Sequence, residues 1–285
     1  MDIDNRLSKL NDKANRRRQA QQAEQQLDFW PDDKRAAPNS VVRCSLFRGA
    51  MAGRSGPRSM HRETLVASLG NEEIYYSGED LDQKDMDVWM AVLQIFREQA
   101  IGEVVYVSGN QLLKLAGLPN NGNSHKSLDV RLKRLTFSRI DVISTKAGSR
   151  EVFHGALLQR AHRAPDGHEW ELSLAPQLKA LFSEGYTWVD WEIRHYLKKA
   201  PLAQWLHAFY RSHREPLPFT VSTLHSLCGS RTKELRFFRN DLKKSLRRLE
   251  EACGRFGVDL SWSHDSRSDR VSVEWVTRET QKRLK

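Results

Sequence analysis

Cysteine is scarce in this 285-residue sequence: there are three, Cys44, Cys228 and Cys253. They are far apart and odd in number, which argues against a disulfide scaffold and a zinc cluster and fits a reducing cytoplasm. No apolar run approaches the roughly 20 residues of a membrane-spanning helix, so no membrane partner is expected. The N-terminal stretch MDIDNRLSKLNDKANRRR lacks the apolar centre of a signal peptide. The ten histidines show no metal-ligand spacing. No two of them flank a single residue, as metal-dependent nicking by a tyrosine requires. Tyr196-Leu-Lys-Lys199 does fit a Tyr-x-x-Lys pattern, but it lies in an aromatic run with Trp188 and Trp191 that reads as inter-domain packing. A Gly-x-x-x-x-Gly-Lys-(Ser/Thr) phosphate loop is also missing, which excludes ATP hydrolysis by that route. The expectation is a protein without catalytic residues, metal or cofactor.

What is abundant is positive charge. Lys and Arg number 46 against 36 Asp and Glu, a net +10, and the sequence pI is about 9.6. Such a balance favours a polyanionic partner. The length suggests one or two domains. Residues 1 to about 24 hold Arg16-Arg17-Arg18 and a Gln-rich run with little apolar content, so they read as a flexible arm. The arm ends in Gln26-Leu27-Asp28-Phe29-Trp30, an apolar pentad on a polar tail. An exposed patch of this kind needs a receiver. Two receivers are open: the protein's own body, or the groove of a partner.

Further on, the pattern predicts a strand over 41–47, a loop over 49–61 and a hairpin turning at Gly70-Asn71. A long helix over 81–100 carries the stripe Met86, Trp89, Val92, Leu93 and Phe96. Then one pattern occurs twice. Ser108–Gly117 (SGNQLLKLAG) and Thr220–Gly229 (TVSTLHSLCG) each open on a capping hydroxyl, place leucines four and seven residues later and close on a glycine. Each follows a helix and a short extended piece, and each precedes a longer basic helix. The first basic helix is predicted over 124–138, with Leu128, Leu132 and Leu135 as its core face. The second is predicted over 231–249, with the stripe Leu235, Phe238, Leu242, Leu246 and Leu249. Hairpins follow: 141–146 with 151–160 after the first, and 258–263 with 270–276 after the second. This order is that of the winged helix. The expected fold class is α+β: two tandem winged-helix domains over 39–190 and 191–285, behind a flexible arm over 1–38.

In such a unit the second helix of the helix-turn-helix enters the major groove with its N-terminal residues on base edges. That nominates Arg231, Lys233, Glu234, Arg236 and Arg239 for bases, and Lys243, Lys244, Arg247 and Arg248 for phosphates. In the first unit His125, Lys126, Arg131 and Arg134 are the corresponding set. The wings would add Lys146 and Arg150 on one side, and Arg267 and Arg270 on the other. A solvated surface helix is the plain alternative for any of them.

Specific residues carry a family resemblance: Trp30-Pro31-Asp32 with Pro38-Asn39, Ser45-Leu46-Phe47, Ile101-Gly102-Glu103, Cys228-Gly229-Ser230 and, above all, Ser212-His213-Arg214-Glu215-Pro216. From about Gln26 onward the chain resembles the TrfA-type plasmid replication initiators, within the tandem winged-helix, iteron-binding Rep class. The resemblance implies binding to direct repeats in double-stranded origin DNA, strand opening, and recruitment of the replicative helicase or its loader. It implies a monomer–dimer equilibrium and a peptide for the bacterial sliding clamp. Gln26, Leu27, Asp28, Phe29 and Trp30 are the positions for that peptide, with Phe and Trp replacing the usual Leu and Phe. A winged-helix transcription repressor acting on plasmid genes is the alternative function.

Overall fold

The computed structural model describes residues 27, 30–50, 57–146, 148, 150–165, 167 and 169–276. They are organised by two apolar cores. One draws on residues between Leu27 and Val189, with Ala208 reaching in, and the other on residues between Ile193 and Val273.

In chain order the first body contains β1 (Lys34–Pro38), α1 (Asn39–Val42), β2 (Phe47–Arg48), β3 (Met60–Val66), β4 (Glu72–Glu79), β5 (Leu81–Asp82), α2 (Gln83–Phe96), β6 (Val105–Ser108), α3 (Gly109–Leu115), α4 (Gly122–Phe137), β7 (Arg139–Ser144), β8 (Arg150–Ala156), β9 (Arg160–Arg163), β10 (Glu169–Ser173), a 3-10 turn (Pro176–Leu178), α5 (Lys179–Ser183) and β11 (Tyr186–Asp190). The second contains α6 (Trp191–Tyr196), α7 (Pro201–Arg211), β12 (Phe219–Thr220), α8 (Val221–Leu227), α9 (Leu235–Arg255), β13 (Asp259–Asp265) and β14 (Arg270–Val276).

The repeated sequence pattern becomes a repeated geometry. The Ser108 hydroxyl accepts from the Gln111 amide, and the Thr220 hydroxyl accepts from the Thr223 amide. Each therefore satisfies one donor left free at a helix N-terminus. At the other end Gly117 and Gly229 take φ of 65° and 62°, a region open to glycine at little cost. This left-handed turn lets Leu118 N donate to Leu113 O and Ser230 N to His225 O, a Schellman-type closure. The sheets match too. β10 lies between β6 and β9, and β14 lies between β12 and β13.

That match corrects the expected first hairpin. The counterpart of β13–β14 is β9–β10, turning through Ala164–Gly167. The hairpin β7–β8 instead joins β3–β4 in a four-stranded sheet, in the order β3-β4-β7-β8. Both hairpins are strand-like by alternation, and local pattern cannot say which sheet a hairpin enters.

Two further expectations change. The stretch 41–47 is not a strand: α1 closes at Val42, and only Phe47–Arg48 is extended, parallel to β5. The arm is shorter than 1–38, because β1 pairs antiparallel with β11 from Lys34↔Asp190 to Pro38↔Tyr186. Trp30 is also fully buried. The arm residues 1–26 lie outside the described residues.

Candidate nucleic-acid interface

On α9 the residues Phe238, Leu242, Leu246, Leu249, Ala252 and Cys253 are buried. At about 100° per residue, the opposite stripe is Arg236, Phe237, Asn240, Lys244 and Arg247, all exposed. Arg248 is exposed beside them and Lys243 is half-buried at the flank.

The helix begins at Leu235, not at 231, and runs on to Arg255. The segment before it is held out of helical conformation. His225 Nε2 lies 2.9 Å from Thr232 O, and the Thr232 amide donates to Ser230 Oγ at 3.2 Å. Arg231 and Lys233 thus sit on the approach to the helix. Arg231 pairs with Asp80 of the first body and donates to Ser59 Oγ at 2.7 Å, whereas Lys233 is exposed.

Arg239 is turned aside as well. Its guanidinium makes two 2.8 Å bonds to the Asp269 carboxylate in the turn of the β13–β14 hairpin, and His264 Nε2 lies 2.8 Å from the same group. Hydrogen bonding from Arg239 is the main cause holding the Asp269 carboxyl down at about 2. Arg239 therefore braces the hairpin against the helix. Arg267 and Arg270 are exposed on that hairpin, Arg270 donating to Pro218 O at 3.2 Å.

On α4 the core face is Leu128, Leu132 and Leu135. The opposite stripe is Asn123, Lys126, Val130, Lys133 and Phe137, all exposed. His125 is half-buried, with Nε2 2.9 Å from Asn120 Oδ1. Arg131 and Arg134, by contrast with the expectation, are turned inward. Their side chains are 12% and 8% exposed, and both donate to Asp85 Oδ1 at 2.7 Å. Arg131 also reaches Asp82 Oδ1 at 3.0 Å, and Arg134 reaches Glu79 Oε2 at 2.9 Å.

These carboxylates close the N-terminus of α2. The Asp82 side chain accepts from the Lys84 and Asp85 amides, and the Asp85 side chain accepts from the Asp82 amide, a capping box. Burial pushes the Asp82 carboxyl up, but the charges of Arg131 and Arg58 outweigh it and the net shift is downward. Asp85 goes up, through burial and then through Asp82's charge. Arg131 and Arg134 flank the leucine stripe of α4, so charge content alone does not separate them from the outward lysines.

Lys146 and Arg150 follow the β7–β8 hairpin into the four-stranded sheet, and Arg150 pairs with Glu184. They do not share a hairpin with the counterpart of β13–β14. That position belongs to Arg160, His162 and Arg163, exposed on β9, with the Arg163 guanidinium 4.7 Å from the Trp170 ring centroid. Sequence reasoning missed this set, along with Asn123, Val130, Phe237 and Asn240. Projecting outward from the leucine stripes would have found the last four.

The chain matches the TrfA protein family over residues 5–269. It belongs to the TrfA family. A relative described as plasmid replication initiator protein TrfA, from Escherichia coli, is 27% identical over 242 residues, which cover 83% of this chain and 61% of the relative. The chain thus spans about three-fifths of that relative's length. A crystal structure of domains 2 and 3 of RctB superposes with a TM-score of 0.54 at 15% identity, covering 84% of this chain and 97% of the other. It supports a shared mixed α/β fold.

In this TrfA-family chain the N-terminal pentad divides. Gln26, Asp28 and Phe29 lie outside the described residues. Leu27 and Trp30 are buried in the first core. The Trp30 indole donates to Gln94 Oε1 at 2.6 Å, its ring stacks on Phe182, and its carbonyl accepts from Arg97 at 3.0 Å. The body has received these two side chains, so neither is free for a partner's groove.

Proposed function

We propose that this chain is a non-enzymatic initiator that binds direct repeats at a plasmid replication origin through two tandem winged-helix units. α4 and α9 would enter successive major-groove faces, with β9–β10 and β13–β14 as wings on the adjacent backbone. The observation that carries this reading is the duplicated geometry, in which each unit aims a basic helix stripe away from its core. Family membership supports a role in plasmid replication initiation; the direct repeats belong to the proposal. Opening of the origin, recruitment of the replicative helicase or its loader, and a monomer–dimer equilibrium enter on the same family ground. Clamp binding through Gln26–Trp30 is left out, because Leu27 and Trp30 belong to the core.

The outward residues replace the larger sequence-derived set. Lys126 and Lys133 serve in the first unit, and Arg236, Lys244, Arg247 and Arg248 in the second. Arg267 and Arg270 contact backbone from one wing, and Arg160 and Arg163 from the other. Footprinting the full chain on DNA flanking its own gene should show protected direct repeats. An Arg236/Lys244/Arg247 triple-alanine variant should lose that protection. A normal footprint from the triple variant would discard the assignment of α9. A single protected operator overlapping a promoter, with no repeats, would favour the repressor.

A further inference from the structure

The outward stripe of α9 includes a large apolar side chain in a position where only polar groups are expected. Phe237 is 51% exposed in the first turn of the helix. The core does not need it, because its neighbour Phe238 is buried and stands edge-on to His225 with ring centroids 4.8 Å apart. Arg236 braces the exposed ring. Its guanidinium lies 4.8 Å from the Phe237 centroid and its Nε is 2.6 Å from Glu234 Oε2. Asn240, three residues on and exposed, shares the same face, since positions three apart are neighbours on a helix. The first unit has a parallel feature: Val130, 52% exposed, stands between Lys126 and Lys133 on the outward face of α4.

A basic helix that presents an aromatic ring and an amide side by side has a defined match in duplex DNA. In the major groove the apolar group on a base edge is the thymine 5-methyl, and an asparagine amide pairs bidentately with adenine N6 and N7. Phosphates offer nothing to a phenyl ring. We infer that Phe237 and Asn240 form a reader of adjacent thymine and adenine, Phe237 packing on the thymine 5-methyl and Asn240 bonding the adenine edge. This rests on the DNA reading above and adds which bases α9 selects.

The test is a methyl deletion on the DNA. The full chain selects its site from a random-sequence duplex pool, and each thymine of that site is then replaced by deoxyuridine. At one or two positions wild type should bind about 3–5-fold more weakly, the scale of one buried carbon. Phe237→Ala should show no uracil penalty there. Phe237→Leu, still apolar, should keep part of it. Asn240→Ala should lose about 5–150-fold discrimination at the neighbouring adenine, as for one bidentate contact. Indifference of wild type to uracil, or an undiminished penalty in Phe237→Ala, would overturn the inference while leaving DNA binding intact. A shift of Phe237→Ala in sedimentation, with its uracil penalty unchanged, would assign the ring to a second copy of the chain instead. Failure of wild type to retain any duplex would overturn the DNA reading and this one with it.

Discussion

Replacing Arg131 by alanine separates a structural role from a DNA-contacting one. Arg131 reaches Asp82 and Asp85 at 3.0 and 2.7 Å, and Asp85 has no exposed side-chain surface. Two cations stay behind: Arg58, 2.7 Å from Asp82 and 3.2 Å from Asp85, and Arg134, 2.7 Å from Asp85. Breaking a buried pair on one side costs about 3–5 kcal/mol, and the remaining arginines place this case near about 3. For a body of this size each kcal/mol moves the thermal midpoint by about 2–4 °C, so a fall of about 6–12 °C is expected in a calorimetric scan. Binding is measured in parallel as log K against log salt. A lost phosphate contact flattens that slope by about 0.9, and Arg131→Ala should leave it unchanged. Lys126→Ala, on the outward face, should do the reverse, with stability held within about 0.5 kcal/mol of wild type. An Arg131→Ala variant with an unshifted midpoint and a flattened slope would refute the inward assignment.

The brace between α9 and the β13–β14 hairpin should respond to acid. The Asp269 carboxyl is held at about 2, below its unfolded value of about 3.9. Its contribution is therefore complete above about pH 4 and is lost as pH falls towards about 2. Denaturant midpoints measured between about pH 5 and 2 should report this and Asp269→Asn should abolish it; a carboxyl that titrates near 4 by NMR would contradict it. Trp30→Ala should destabilise the first body by about 3–5 kcal/mol, as large core truncations do, read from a denaturant midpoint. An unchanged midpoint would free Trp30 for a partner. Asp80→Asn should loosen the contact between the bodies. Asp80 pairs with Arg231, lies 3.3 Å from Arg48 and 2.9 Å from His61, and accepts from the Ser59 amide at 2.8 Å. Hydrogen bonds to a charged group contribute about 1.5–3 kcal/mol. Exchange at the Gly49 amide, which donates to Cys228 O at 2.8 Å, should accelerate about tenfold or more. Unaltered exchange would show that Asp80 does not hold the bodies together.

The local pattern made much of the fold legible. Hydroxyl caps, leucine spacing and closing glycines are short-range devices, and Ser108–Gly117 and Thr220–Gly229 fold as their sequences direct. What escaped was non-local. Nothing in Arg139–Ser144 says that it pairs with Glu72–Ser77, so its hairpin with Arg150–Ala156 looks in sequence like the one that follows the second basic helix. The site suffered from the same blindness. Arg131, Arg239 and Arg231 look like their outward neighbours until Asp85, Asp269 and Asp80 arrive from 46, 30 and 151 residues away. A basic stretch counts its charges in sequence, but carboxylates of distant elements draw Arg131, Arg239 and Arg231 away from their outward neighbours.

The same carboxylates govern how the two helices are presented. Asp80 ties the approach to α9 to the first body through Arg231, and Arg48 of β2 donates to Gly229 O at 2.8 Å. Deeper in, Arg194 of α6 is fully buried, with Nε 2.6 Å from Asp87 of α2 and a second bond to Gln83 O at 3.1 Å. Trp205 of α7 donates to Cys44 O at 3.4 Å. The second unit is therefore docked rather than tethered. Units joined by a flexible tether bind semi-independently, at an effective concentration set by the tether. Docked units offer one separation and one relative rotation of α4 and α9. One base pair of added spacing turns a site by about 34–36° on a helix of 10–10.5 base pairs per turn. On the proposed reading, a docked pair could not follow that rotation without breaking buried ion pairs, and the spacing of the two parts of a site would be part of what the protein reads. On that reading the arginines lost from the DNA-facing set would act on recognition by fixing the distance over which the outward residues work.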